Sequence, residues 1–257
     1  MNLLAIRSRL FLRSFLLQAG FSDERRQALG FSWAIDPALR EAYVSDPAGL
    51  TGARQRQISV FNIQPHAVGV PLGVVAALEG RAAAGDKGSA DAAIQIKAAL
   101  GSALSAAGDA FFWGALRPLA CVVAIIAIVT GIAFHLKHPF LAGALVGLTV
   151  FNGPALWVRW QGLKIGLDGP DRACSVVSCL PIQRWIRQTR ILTMIMILIA
   201  VCLGLGTTGF SQLGLFYAAA FVVGITMSHR AGGPLMLVGV AGLLGAAAAL
   251  AMAVAHR

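Results

Sequence analysis

Charged residues are scarce in this sequence. Only 12% of its 257 residues are Asp, Glu, Lys or Arg, while 57% are hydrophobic and the mean hydropathy is +0.74. Soluble domains carry about 25% charged residues, so the composition excludes an ordinary soluble protein and indicates an integral membrane protein. The net charge of +10 would suggest nucleic acid in a soluble protein. Here the basic residues flank apolar runs, which indicates cytoplasmic loops and lipid headgroups instead.

Patterns of catalytic and metal sites are also missing. The sequence has no glycine-rich phosphate loop and no nucleophile elbow. Its four cysteines lack the spacing of a metal site, and His135 and His138 have no third ligand beside them. We therefore predict no catalytic residue, no metal and no cofactor.

The N-terminal segment, residues 1–59, is too polar to cross a membrane. Arginines interrupt the apolar stretch 3–17, which excludes a signal-peptide core and predicts an amphipathic helix on the cytoplasmic leaflet. Ser22, followed by acidic residues, has the pattern of a helix N-cap, while Asp36-Pro37 and Asp46-Pro47 are typical of helix boundaries. We predict a cytoplasmic and interfacial collar of helices.

Residues 60–118 contain two apolar segments that are too short to span a bilayer comfortably. The run 67–78 is right for a re-entrant or buried helix, and 90–107 is rich in the small residues that allow close helix packing. We predict two short, partly re-entrant helices that meet at a break at Gly108-Asp109. Interrupted helices of this kind are typical of transporter sites.

Polar residues stand at both ends of this region. Asn62 and Gln64, just before Pro65, could bind sugar hydroxyls, but capping of a broken helix is the more common role of such residues. Asp109, Trp113 and Arg117 would share one face of an α-helix at i, i+4 and i+8. An acceptor, a ring and a donor there could hold a polyol. The alternative is an ion pair with interfacial aromatics that anchors a helix end.

The remainder, residues 119–257, predicts about five membrane helices in an all-α integral membrane protein. The apolar runs are 119–134, 140–158, 191–208, 213–228 and 234–255. Segment 159–190 carries six Lys and Arg residues and is predicted to be a cytoplasmic loop. With the N-terminus and Arg117 inside, alternate crossings place the uncharged connection 209–212 and the C-terminus outside.

Motifs along nearly the whole chain resemble those of one transporter family, the IID subunit of the mannose/fructose/sorbose group of the phosphoenolpyruvate-dependent sugar phosphotransferase system. Their order and spacing match as well. The motifs that carry the resemblance are Phe11-Leu12-Arg13-Ser14, Glu24-Arg25 with Gln27-Ala28-Leu29-Gly30-Phe31, Asn62-x-Gln64-Pro65, Gly108-Asp109-x-Phe111-Phe112-Trp113-Gly114-x-x-Arg117-Pro118, Phe151-Asn152, Gly166-Leu167-Asp168 and Gly232-Gly233-Pro234.

The resemblance implies a membrane subunit that is not itself phosphorylated. A IID subunit pairs with a IIC membrane subunit in the bacterial inner membrane, and the pairs assemble into a larger oligomer. Together they translocate a hexose that cytoplasmic IIA and IIB phosphocarriers phosphorylate. The positions implied for the sugar path or its gate are Asn62, Gln64, Asp109, Trp113 and Arg117, and those implied for structure are Pro65, Gly108, Phe111, Phe112, Gly114 and Pro118.

Two departures from the family pattern keep a second interpretation open. Ala110 follows the motif Asp109 where relatives usually have proline, and the connection 209–212 is far shorter than in many relatives. The alternative is therefore a reduced or regulatory member of the family that pairs with IIC without supporting transport.

Overall fold

A computed structural model describes residues 3–208, and this part of the chain is helical, with no β-strand. The all-α class expected from the sequence is confirmed. The α-helices are α1 (Leu3–Arg13), α2 (Ala28–Ala42), α3 (Pro47–Gln57), α4 (Gly69–Ala83), α5 (Lys87–Phe111), α6 (Arg117–Ala133), α7 (Pro139–Asp168), α8 (Pro170–Cys179) and α9 (Ile182–Thr208). The other helical elements of the described chain are short 3₁₀ turns at Ser14–Leu16 and Pro65–Ala67 and a π-helical turn at Phe112–Leu116.

Within residues 3–208, three helical stretches are long and apolar enough to cross a bilayer. They are Gly88–Ala133, Pro139–Asp168 and Ile182–Leu203, with 46, 30 and 22 residues. A span needs about 20 residues, so each stretch is sufficient. The stretches overlap the first three apolar runs expected from the sequence. The other two runs, 213–228 and 234–255, and the predicted outer C-terminus lie outside the described residues.

The chain divides into two compact units, Met1–Leu116 with Phe151–Gln188, and Arg117–Val150 with the chain from Thr189. The first unit is built around α4, where ten of 15 residues are buried. Burial on all sides explains why the sequence of α4 is apolar without a polar face. The expectation of a buried helix near 67–78 is confirmed.

Glycines bring α4 and the end of α7 into backbone contact within the first unit. Gly69 and Gly73 of α4 face Gly162 and Gly166 of α7, and a Cβ at any of the four would overlap atoms of the other helix. Both pairs have the four-residue spacing of a small-residue contact between membrane helices. This close crossing fixes the start of α4, where the Asn62-x-Gln64-Pro65 motif ends.

In the second unit, α6 packs on the first part of α7 in the same way. Gly143 and Gly147 face Ala124 and its neighbours on α6, with no room for a Cβ at Gly143. This part of α7 also exposes large apolar residues. These are Phe140, Leu141, Leu145, Val146 and Leu148. An exposed apolar face of this extent is typical of contact with lipid.

Two predicted helix boundaries in the N-terminal region are wrong and one is confirmed. Ser22 accepts a hydrogen bond from the Arg25 amide at 3.2 Å, but it caps only a turn, and α2 begins at Ala28. Pro37 lies inside α2 because the carbonyl of Trp33, which loses its amide partner there, accepts instead from Arg13 at 2.9 Å. Asp46 caps α3 as expected.

The predicted helix break at Gly108-Asp109 is also wrong. Helix α5 continues through both residues, and the irregularity lies four residues later in the π-helical turn. Pro118 supplies a physical reason, because it has no amide to donate to the carbonyl of Gly114. A π-helical turn bonds residue i to i+5 and so moves the donor past the proline.

The predicted loop 159–190 is almost entirely helical. Helix α7 runs on to Asp168, and α8 and the start of α9 fill most of the rest. The misreading came from Arg159, which ends the apolar run in the sequence but is only 4% exposed in the structure. Its charge is solvated by protein groups and does not mark the end of the helix.

Candidate functional site

The segment between α3 and α4, residues 58–68, carries the Asn62-x-Gln64-Pro65 motif and ends in the 3₁₀ turn at Pro65–Ala67. The Gln27 side-chain oxygen accepts a hydrogen bond from the Ile63 backbone amide at 2.9 Å, and the Gln27 backbone amide donates to the Phe61 carbonyl at 2.8 Å. Phe61 and Ile63 are each 2% exposed. Buried side chains and backbone bonds to α2 therefore fix this segment, which we call the α3–α4 segment.

Gln64 joins this segment to α5. Its side chain is 1% exposed, and its oxygen accepts from the His66 amide at 2.7 Å, which caps the 3₁₀ turn. Gly108 lies directly against it, since a Cβ at position 108 would be 2.6 Å from the Gln64 Cβ. The structure thus brings the Asn62-x-Gln64-Pro65 and Gly108-Asp109 motifs together. The capping role expected for Gln64 is confirmed.

Asn62 has a looser environment. Its side chain is exposed, and its amide nitrogen lies 3.5 Å from the hydroxyl of Ser105 on α5, at the limit of a hydrogen bond. The donor and acceptor atoms of Asn62 remain accessible to a ligand or to another protein chain. Asn62 and Gln64 therefore differ, one exposed on the segment and one buried beneath it.

Aromatic rings surround His66 where the two motifs meet. Ring centroids of Phe112, Trp113 and Phe151 lie 4.9, 5.9 and 5.4 Å from the imidazole. Trp113 also stacks on Phe151 with centroids 5.8 Å apart and planes 20° apart. Burial, with a smaller contribution from the charge of Arg159, lowers the pKa of His66 to about 4. His66 is therefore neutral at physiological pH.

The outer side of this aromatic cluster is accessible. Trp113 remains 41% exposed, whereas Phe112 is 3% exposed and packs with Leu116 and Ala155. Both residues belong to the π-helical turn, where Phe112 is buried and Trp113 lies at the surface. π-Helical turns often occur at functional sites. An exposed indole backed by a second ring can stack on a sugar ring or on an apolar side chain.

Asp109 and Arg117 both lie at the surface. The stripe expected from Asp109, Trp113 and Arg117 assumed a regular α-helix, and the π-helical turn between Phe112 and Leu116 interrupts that geometry. The extra residue in such a turn rotates the helix beyond it by about 100°. The three residues are exposed on one continuous helical stretch, but the straight row expected from the sequence is not kept.

Sequence reasoning missed a buried ion-pair network at Glu79. This carboxylate is 0% exposed and accepts from Arg56 at 2.6 Å, from Tyr43 at 2.8 Å and from the Gln57 side chain at 2.8 Å. Burial and the hydrogen bond to Glu79 raise the pKa of Tyr43 to about 12, so the phenol stays protonated and donates. The network ties α2, α3 and α4 together beside the α3–α4 segment.

Two further cations were missed, Lys97 on α5 and Arg159 on α7. They are 2% and 4% exposed. Both lie in stretches that are otherwise apolar or small, and this was the available signal, because an ionisable residue within a membrane helix is rare and faces the protein interior. Arg159 lies in the region predicted as a loop, and the sequence motifs predict no role for Lys97.

The fold and this site define a helical membrane protein with a motif-bearing segment fixed against a long helix. The sequence profile of the PTS system mannose/fructose/sorbose family IID component matches residues 5–202. The chain belongs to this family of membrane components of the sugar phosphotransferase system. The resemblance seen in the sequence motifs is confirmed.

Individual relatives agree with this assignment. The mannose-specific EIID component of Escherichia coli K12 is 36% identical over 156 residues, which cover 61% of this chain and 52% of the relative. The sorbose-specific EIID component of Klebsiella pneumoniae is 35% identical over 158 residues, which cover 61% and 54%. The matched region thus spans about half the length of these relatives.

Solved structures show the same fold. A cryo-EM structure of the mannose transporter ManYZ with microcin E492 matches with a TM-score of 0.56 and 30% identity, over 77% of this chain and 69% of that one. A second solved membrane protein matches with a TM-score of 0.63 and 29% identity over the same shares. At these identities the likeness extends to sequence as well as fold.

Proposed function

We propose that this chain is the IID half of a sugar permease. It pairs with a IIC membrane subunit and translocates a hexose that IIA and IIB phosphocarriers phosphorylate on arrival. Membership of the IID family and the likeness to a mannose transporter support this role. The observation that carries it is the contact of Gln64 with Gly108, because it unites the two family-like motifs in one site beside the exposed Trp113.

The site contributes a surface that faces the IIC subunit and the sugar path. Trp113, stacked on Phe151, offers a flat apolar platform, and Asn62 offers hydrogen-bonding atoms beside it. Asp109 and Arg117 add opposite charges on the same helical stretch. Gln64 acts beneath this surface, where burial suits packing and gating better than direct contact with sugar.

The finer assembly follows from the same proposal. The N-terminal helices lie on the cytoplasmic side, where their arginines meet anionic headgroups and the phosphocarriers approach. IIC–IID pairs associate further into a larger oligomer. A regulatory member of the family, suggested by Ala110 and the short connection 209–212, is not favoured by the transport components among the relatives.

Reconstituted phosphorylation tests the proposal. The chain is co-expressed with IIC, IIB and IIA subunits of the mannose/fructose/sorbose family, and sugar phosphate formed from phosphoenolpyruvate is measured for a panel of hexoses and amino sugars. We expect at least one sugar to be phosphorylated, and the activity to disappear when this chain alone is omitted. Formation of no sugar phosphate, or equal formation without the chain, would overturn the proposal and favour a regulatory role.

A further inference from the structure

Lys97 and Arg159 are buried cations, and no carboxylate among residues 3–208 forms an ion pair with either. Burial of an unpaired charge costs free energy, and a protein core built only for stability would place an apolar side chain there. Each cation instead donates a hydrogen bond to a backbone carbonyl in or beside the α3–α4 segment. The α3–α4 segment is therefore the shared target of the two cations.

Lys97 holds the beginning of the segment. Its ammonium group donates to the Gln57 carbonyl at 2.7 Å and lies 3.4 Å from the Ser59 hydroxyl. The rings of Phe31 and Phe61 lie 4.7 and 5.4 Å away, so cation–π attraction replaces part of the lost hydration. The charge of Lys97 is therefore directed at the chain as it leaves α3.

Arg159 holds the end of the segment. One terminal nitrogen donates to the Pro65 carbonyl at 3.0 Å, and the other to the Ser14 hydroxyl at 3.2 Å. The guanidinium group also lies over the Phe15 ring at 4.6 Å. Arg159 is fixed in turn by the close helix crossing, because its own carbonyl faces Gly69 at the start of α4.

We infer that Lys97 and Arg159 are positioning residues that hold the two ends of the α3–α4 segment, so that Asn62 and Gln64 keep one fixed geometry against α5. This inference deepens the proposed function and rests on it for its consequence in transport. The two cations act through the segment and not by contact with sugar. Their geometric effect can be measured without any transport assay.

Hydrogen exchange on the purified IIC–IID complex tests the geometric effect. In the wild-type protein we expect the amides of Ile63 and His66, which donate to buried glutamine oxygens, to exchange as slowly as those of α4. Exchange of these amides at the rate of an unfolded peptide would overturn the inference. This measurement needs no variant, so it remains decisive even if a substitution impairs folding.

Substitutions then assign each end of the segment. Lys97→Met should accelerate exchange in residues 58–63 by roughly tenfold or more, and Arg159→Met should do so in residues 64–68. Lys97→Arg keeps a donor and should restore part of the protection. Lys164→Met and Arg184→Met, at exposed positions, are matched controls and should leave both regions unchanged. Unchanged exchange, or equal loss of protection throughout the complex, would contradict a positioning role.

Sugar phosphorylation by the same variants separates this inference from the proposed function. If the segment loosens and the KM for sugar rises in the methionine variants, while Lys97→Arg recovers protection and KM, the positioning role and the proposed function are both supported. If the wild-type complex phosphorylates no sugar, the proposed function fails, while the exchange data alone decide the geometric claim. Local loosening with KM and maximal rate both unchanged would overturn the link from these cations to transport.

Discussion

Asp109 is exposed on α5, and within residues 3–208 its carboxylate forms no ion pair. An ionised carboxylate at the bilayer centre costs about 2.5–3.5 kcal/mol. A carboxylate placed there needs a partner, and no cation among residues 3–208 pairs with Asp109. The sugar, the IIC subunit or the headgroup region could each provide one.

Replacement of Asp109 tests whether its partner is the sugar or the IIC subunit, as opposed to the headgroup region. If Asp109 contacts the sugar or a IIC donor, Asp109→Asn should lower sugar phosphorylation by the complex by about tenfold or more, since charge-assisted hydrogen bonds are strong. Asp91→Asn, at an exposed position earlier on α5, is the matched control and should retain activity. Unchanged KM and maximal rate in Asp109→Asn would remove this residue from the mechanism.

His66 gives a pH dependence whose sign follows from its lowered pKa. The pKa of this histidine is about 4 in the folded protein, against 6.5 for an exposed histidine. Between these values the unfolded chain binds more protons, so folded stability should decrease as pH falls from about 6.5 toward 4. Thermal unfolding of the purified protein across this range measures the effect.

The His66 contribution is isolated with two variants. His66→Gln should flatten the decrease in Tm over this pH range, because the titrating group is gone. His138→Gln, at an exposed position, should keep the wild-type slope. Equal slopes in the wild type and His66→Gln would show that His66 is not the group responsible.

At the scale of elements, the contact between the α3–α4 segment and α5 depends on a glycine. A Cβ at Gly108 would press on the Gln64 side chain, so Gly108→Ala should destabilise the protein by about 1–3 kcal/mol. Gly80→Ala is a matched control on α4, because nothing lies within 4 Å of its added Cβ. Helix propensity alone should then stabilise by about 0.5–1 kcal/mol.

Denaturant or thermal unfolding measures the change in the free energy of unfolding for both variants. We expect this change to have opposite signs in Gly108→Ala and Gly80→Ala. A neutral or stabilising Gly108→Ala would mean that the Gln64 contact can relax without cost. The two motifs would then be less rigidly fixed against each other than their contact suggests.

Sequence reasoning found the elements whose signals are local. Asp46 before Pro47 identified the start of α3, and the apolar run 67–78 identified the buried α4. The prediction of a break at Gly108-Asp109 is wrong because it depends on the short apolar segments on either side, and α5 continues through both residues. In the structure this glycine is a contact point, and the irregularity follows from Pro118 farther along the chain.

Features that depend on distant contacts could not be read in the same way. Pro37 is tolerated inside α2 only because Arg13, 20 residues before Trp33, donates to the Trp33 carbonyl. Arg159 extends α7 past its apolar run because Ser14 and Pro65 receive its hydrogen bonds. No local pattern contains these partners, so charge alone suggested a loop.

At the scale of the whole molecule, family membership and local physics answer different questions. The match to residues 5–202 establishes a IID component. The contacts within the first unit explain how the motif residues are held in position. Gln64 and Gly108 are buried against each other, while Trp113 and Asn62 remain at the surface. A site that is fixed from behind and open in front is suited to a partner-facing surface.

Site-specific photo-crosslinking in membranes tests this central claim most directly. A photoreactive phenylalanine replaces Trp113 in cells that co-express the IIC subunit, and the same residue replaces Trp157, which is 61% exposed on α7, as a matched control. We expect a covalent adduct with IIC from position 113 and a much weaker one from position 157. No IIC adduct from position 113, or equal adducts from both positions, would contradict a partner-facing site at Trp113.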